Sequence, residues 1–267
     1  MSRIRLRWHD RPGLAGGIDK DGTRAEELLG LGFGSVEFGT VAAHLQAPFS
    51  LAALTARLAI LPPHHPDGSA IGIGIGLSPG AAPADLPAQW LAGLLGAWRV
   101  ADYVSFNLSA QACRPLLARE HLPLMAAAMK SIAAERDRLP RRIPLALKFP
   151  LGTEGEPLPD VAAAAAQAGF DALTVVLPAA GGQLSRLARF AALAQRIADG
   201  PALVAVGGIR TAVDVCAARA AGAAGVQVHR AFVDAGPDCL PALIGAGGGR
   251  QRAPALPGMT EKAGTPG

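Results

Sequence analysis

A chain of 267 residues, half of them hydrophobic and 17% charged, can bury one barrel-sized core and is too apolar for disorder over most of its length. Its formal charge of +4 comes from 25 Lys and Arg against 21 acids, with arginines scattered from Arg3 to Arg252, which argues against a nucleic-acid face of clustered cations and aromatics. Three cysteines, Cys113, Cys216 and Cys239, show no CxxC spacing, so neither a disulfide framework nor a structural zinc site is expected and a reducing cytoplasm is the expected setting. No signal-type apolar run and no uninterrupted stretch of about 20 apolar residues occurs, so the protein is expected to be soluble.

Short β-prone runs alternate with helical stretches along the chain. The expected strands are 13–18 (GLAGGI), 35–39 (SVEFG), 71–76 (IGIGIG), 103–108 (YVSFNL), 144–149 (PLALKF), 172–177 (ALTVVL), 202–206 (ALVAV) and 225–228 (GVQV). Leucine and alanine recur at helical spacing over 24–31, 88–98, 115–136, 160–168, 184–198 and 212–221. This alternation predicts a single-domain closed parallel (β/α)8 TIM barrel over 1–245, with an open doubly wound sheet as the alternative. The stretch 47–70 holds one candidate helix and a loop able to cover the mouth. His64 and His65 are adjacent and lack a carboxylate at a helical offset, so a solvated loop is read there and no metal site. The Gly- and Pro-rich tail 246–267 is expected to be disordered.

In such barrels the reacting groups stand at the carboxyl ends of strands. Those positions hold Asp19 and Lys20, Thr40, Asn107 and Ser109, Lys148, Gly207 and Gly208, and His229 and Arg230. A lysine there is partly enclosed and needs an anion or dipole beside it; for Lys20 an ion pair with Asp19, Asp21 or Glu37 is the structural alternative. Lys148 ends an otherwise apolar strand. The glycines of VAVGGIR let backbone amides approach an anion, and GVQVHRAF brings a short helix and the Arg230 guanidinium, so the pair reads as a phosphate cradle.

Together these segments resemble the dihydroorotate dehydrogenase family, most nearly its quinone-using, membrane-associated class. GLAGGIDKDG, LGFGSVEFGTV, ADYVSFNLS, IPLALKFP and LVAVGGI with AGVQVHRAFVDAGP carry the likeness over roughly residues 12 to 245. The resemblance implies a barrel that holds FMN at its mouth and passes hydride from a small-molecule substrate to the flavin. Gly16, Gly17 and Lys20 would line the flavin, Thr40 would sit beside it, and Asn107 would touch flavin and substrate. Lys148 would stabilise the negative charge that develops on the flavin. Gly207, Gly208, His229 and Arg230 would hold the phosphate, although the family usually has a tyrosine and a small hydroxyl residue at the last two positions.

Other departures concern the substrate. The family places a Ser or Cys base where this chain has Ala110, and a methyl group cannot take a proton. Ser109 is expected to point to the other side of the extended chain, and Cys113 to be a small buried apolar residue. Asn107 is the only asparagine in the chain; Gly74, Ala112 and Leu177 stand where the family's other ring-gripping asparagines would. Each ring heteroatom left unpaired costs about 1 to 3 kcal/mol, so a changed substrate is expected. About a dozen residues precede the first strand, too few for the quinone-class membrane extension, so the expected electron acceptor is soluble or a partner protein. Two alternatives stand beside this reading: a flavin-independent barrel enzyme using Lys20 or Lys148 on a phosphorylated small molecule, and a non-catalytic homologue acting as an interaction subunit. The oligomeric state is left open.

Overall fold

The computed structural model describes residues 6–43, 50–61 and 68–245; 47–49 and 62–67 of the 47–70 stretch, with His64 and His65, and the tail 246–267 lie outside the described residues. Eight parallel strands close on themselves in chain order: β1 (Gly13–Leu14), β2 (Ser35–Val41), β3 (Ala70–Ile75), β4 (Tyr103–Asn107), β5 (Leu145–Pro150), β6 (Ala172–Val176), β7 (Ala202–Val206) and β8 (Gly225–Val228). Their residues are almost all buried, as parallel strands covered by helices outside and by a filled barrel inside must be. The outer layer comprises α1 (Ala25–Gly30), α2 (Leu51–Ala59), α3 (Leu86–Ala97), α4 (Leu122–Arg138), α5 (Val161–Gln167), α6 (Gln183–Arg196), α7 (Ala212–Ala220), α8 (Arg230–Ala235) and α9 (Cys239–Ile244).

Alternation along each strand sorts side chains between the helical layer and the barrel interior. On β4, Phe106 faces outward and packs on Trp90 of α3 at 4.8 Å between centroids, so its neighbour Asn107 turns inward. Register then matters: Asn107 stands beside Lys148, and Gly39 beside Gly74. Local signals fix the helix starts. Ser50 accepts the Ala53 amide to cap α2, and Thr211 with Asp214 forms a capping box on α7.

Two expected elements differ from the structure. The first strand is only two residues long, because Gly17, at φ +107°, turns its amide to the Gly39 carbonyl and Gly39 returns its own to Asp19. This crossing carries the chain over the mouth instead of along the ladder. The helix expected over 115–136 begins at Leu122, after 3-10 turns at Gln111–Leu117 and Arg119–His121. Proline explains the shift: Pro115 lacks the amide that a continuous helix needs, whereas Pro123 fits a first turn.

The amino ends of the strands are closed. Tyr103 fills the interior beside Gly72, where any Cβ would collide with its ring, and its hydroxyl accepts from Gln227 Nε2 at 3.2 Å. Asp171, 1% exposed, pairs with Arg136 at 2.9 Å and Arg142 at 2.8 Å, and accepts the Leu145 amide at 2.9 Å.

Candidate active site

At the carboxyl ends of the strands lies a cavity of about 940 Å³, large enough for a cofactor and a small molecule together. Its lining includes Gly16, Asn107, Lys148, Gly207, Gly208, His229 and Arg230, so seven of the ten residues singled out from the sequence meet there. The other three, Gly17, Lys20 and Thr40, are not part of that lining. Gly17 is one step away, with the place of a Cβ 3.2 Å from His229 Nε2.

Lys20 departs from expectation by being exposed. Its neighbour Asp19, 4% exposed, makes the structural use of this turn: its carboxylate accepts the amides of Asp21, Gly22 and Arg24 at 3.2, 2.8 and 2.9 Å. The acids of the DKDG turn therefore fold the loop, and the lysine between them projects away from it. Glu37, a candidate partner for Lys20, belongs to Lys148. The Lys148 Nζ lies 3.2 Å from Glu37 Oε1, with the two residues 6% and 1% exposed. Gln227 Nε2 donates to the other Glu37 oxygen at 3.3 Å. A second carboxylate-facing group, the Tyr103 phenol, is pushed well above its usual range, first by burial and then by the Glu37 charge, and so stays protonated.

Above this floor the backbone comes close. A Cβ on Gly16 would stand 2.8 Å from Glu37 Oε1, so only glycine lets the chain pass over the carboxylate. Asn107 is held from three sides: its Oδ1 accepts from the Ser109 amide at 2.8 Å and hydroxyl at 2.6 Å, and its Nδ2 donates to Thr40 Oγ1 at 2.6 Å. Thr40 thus orients the asparagine.

Ser109 corrects the sequence reading, since it lines the cavity beside Asn107 instead of facing away. The expectation took the Ala110 position as the one facing the site, whereas alternation continued from the inward Asn107 at the end of β4 puts residue 109, two places on, on the same side. Cys113 is 2% exposed, as expected for a small apolar residue, and burial raises its thiol pKa, which keeps it from serving as a thiolate base.

The far wall carries Gly207 and Gly208 at φ +109° and +71°, with His229 and Arg230 opposite. His229 has its pKa lowered, by burial first and then by Lys148 and Arg230, so the imidazole is neutral at pH 7. The charge of the wall as a whole escaped the sequence reading. Arg114, Lys148, Arg186, Arg210 and Arg230 face the cavity against Glu156 alone, and of these Lys148 and Arg210 are paired, the latter with Asp234 at 2.7 Å. Such a wall suits an anionic ligand. Among the described residues no group of three His, Cys, Asp or Glu is placed to hold a metal ion, and no helix is long and apolar enough to cross a membrane.

No family model matches the chain. Curated relatives do: dihydroorotate dehydrogenase (quinone) from Sinorhizobium fredii is 30% identical over 278 residues, covering 87% of this chain and 75% of the relative. The protein of that name from Marinomonas sp. is 26% identical over 286 residues, covering 90% and 82%. Among solved structures, DHODH from Eimeria tenella in complex with ferulenol superposes with a TM-score of 0.69 at 22% identity, covering 87% of this chain and 79% of that one, which supports the barrel fold. With the barrel in register, the inward lysine and asparagine on adjacent strands, and a 30% identical relative matched over three quarters of its length, the chain belongs to the dihydroorotate dehydrogenase family.

Proposed function

We propose that this protein is an FMN-dependent oxidoreductase that takes hydride from a small anionic molecule other than dihydroorotate. The observation that carries the reading is the buried Lys148 amine, held by Glu37 at the floor of a cavity of about 940 Å³ whose far wall is the Gly207–Gly208 loop. The residues present fit the cofactor: Gly16 offers close backbone approach, Gly207 and Gly208 offer a side-chain-free cradle, and the wall is cationic. FMN, when bound, supplies the ring that accepts hydride.

The chain's own residues do the rest. Lys148 places a cation where negative charge develops, and its pairing with Glu37 keeps the amine in position without ligand. Asn107, fixed by Thr40 and Ser109, presents an amide of set orientation to the cavity. Gly207, Gly208, His229 and Arg230 would receive the phosphate. Neutral His229 contributes a hydrogen bond there, and Arg230 a charge.

The substrate half of the proposal rests on the wall's composition. One asparagine cannot satisfy the several donors and acceptors of a dihydropyrimidine ring, and Ala110 cannot remove its proton. Arg114, which makes no ion pair among the described residues, suits a carboxylate or similar anion. Absorption of the purified protein tests the cofactor: a flavin spectrum with FMN released on denaturation is expected, and a protein that stays colourless in excess FMN overturns the reading. Reduction of the bound flavin by dihydroorotate at a rate of about 1 s⁻¹ or faster, an ordinary enzymatic turnover, would overturn the substrate half alone.

A further inference from the structure

Resting on the FMN reading, we infer that Arg186 of α6 is the phosphate-gripping side chain of this protein and makes the site select a phosphorylated flavin over an unphosphorylated one. Arg186 lies over the cradle. A Cβ built on Gly208 would stand 2.5 Å from its Nη1 and 3.2 Å from its Cζ and Nη2, so the guanidinium occupies the space that the glycine leaves free. It lines the same cavity as Arg230 and His229.

Its bonding is unfinished. The only side-chain hydrogen bond it makes among the described residues is a long one of 3.3 Å from Nη1 to the Pro178 carbonyl, and its Nε is buried without an acceptor. Leaving a buried donor unsatisfied costs about 1 to 3 kcal/mol, an arrangement that makes sense where a ligand brings the acceptor. The other arginines of α6 are different. Arg189 donates to the Leu151 and Pro157 carbonyls at 3.2 and 2.9 Å, and Arg196 pairs with Asp160 at 2.7 Å.

The nearest acids do not compensate it. Asp214, across the Gly207–Gly208 loop, already accepts from Gln183 Nε2 and from the Arg210 and Thr211 amides, and Glu156 accepts the Thr153 amide at 2.6 Å. The amide of Gly208 likewise makes no backbone hydrogen bond among the described residues. Arg186 therefore lies against the Gly208 backbone with donors on both that await an acceptor. A dianionic phosphate group, accepting from a guanidinium fork and a backbone amide together, matches that donor set. Charge here does the work of the hydroxyl side chains that the resemblance implies for the family and that this chain replaces with His229 and Arg230.

Flavin fluorescence quenching measures the point directly, by titrating wild type, Arg186→Gln and Arg186→Lys with FMN and with riboflavin. Arg186→Gln is expected to weaken FMN by about 10- to 100-fold and leave riboflavin unchanged, with Arg186→Lys in between. Circular dichroism melting checks that the variants fold, which a partly buried side chain with one weak bond should permit. If wild type prefers FMN and Arg186→Gln keeps the same FMN-to-riboflavin ratio, Arg186 is not the clamp although the cofactor reading stands. Should wild type bind neither flavin, the cofactor reading fails and takes the clamp with it.

Discussion

At the amino ends of the strands Asp171 takes Arg136, Arg142 and the Leu145 amide at once, whereas at the carboxyl ends Arg114, Arg186 and Arg230 face a large cavity with no ion pair among the described residues. The same residue type serves opposite ends. At the closed end the arginine charges are spent on the fold, and at the open end they are withheld from it and left for a ligand. The space beneath Tyr103 and Gln227 is about 10 Å³ against about 940 Å³ above, so packing and electrostatics draw the same boundary.

Breaking the closed end should cost the most. Asp171→Ala takes from the buried Arg136 guanidinium the buried one of its two carboxylates, leaving it only Asp137, strips the Leu145 amide of its acceptor, and is expected to lower stability by about 3 to 5 kcal/mol in urea unfolding, with FMN affinity of the folded fraction unaltered. A variant that unfolds like wild type would erase the contrast.

At the open end, Lys148→Met is expected to slow flavin reduction by about 100- to 1000-fold, or about 3 to 4 kcal/mol in the barrier. It also strands Glu37 in the core. Adding Glu37→Gln should recover stability without recovering rate, because only the amine acts on developing charge. Stopped-flow reduction and urea unfolding of the same pair of variants separate the two effects.

A third measurement sharpens the closed end by pH. Burial lowers His9 from 6.5 to about 4, against a smaller upward pull from Asp10. The unfolded chain takes up a proton below pH 6.5 and the folded chain only below about 4, so stability is full above 6.5 and is lost as the pH falls between these values. At pH 5 the loss should reach about 2 kcal/mol, and His9→Gln should flatten that slope. The smallest effect belongs to Thr40→Val, which removes the acceptor of the Asn107 amide and should cost about 1 kcal/mol, read as a several-fold rise in KM with the fold intact.

How much of this was legible in the sequence depended on range. Seven of the eight strands fell within two residues of expectation, because apolar runs and helical spacing are local patterns. The turn after β1 did not, since the bond from Gly17 to Gly39 joins segments whose approach no local pattern announces. Lys148 was visible as a cation closing an apolar strand. Its partner was not, because Glu37 lies 111 residues away and only barrel closure brings β2 and β5 inward together. Arg186 was hidden in the same way, one arginine among three on α6 until the loop beneath it was in place. For Ser109 the local rule held but was counted from the wrong residue, Ala110 instead of the inward Asn107 at the end of β4.

Gly72 and Tyr103 have a consequence for traffic. By admitting an aromatic plug into the interior, the missing Cβ on β3 stoppers the barrel axis at one end and makes the chamber a cul-de-sac. Along that axis electron donor and electron acceptor would share a doorway and take turns, one departing before the other enters, and parallel lines in double-reciprocal rate plots are the signature expected of such alternation.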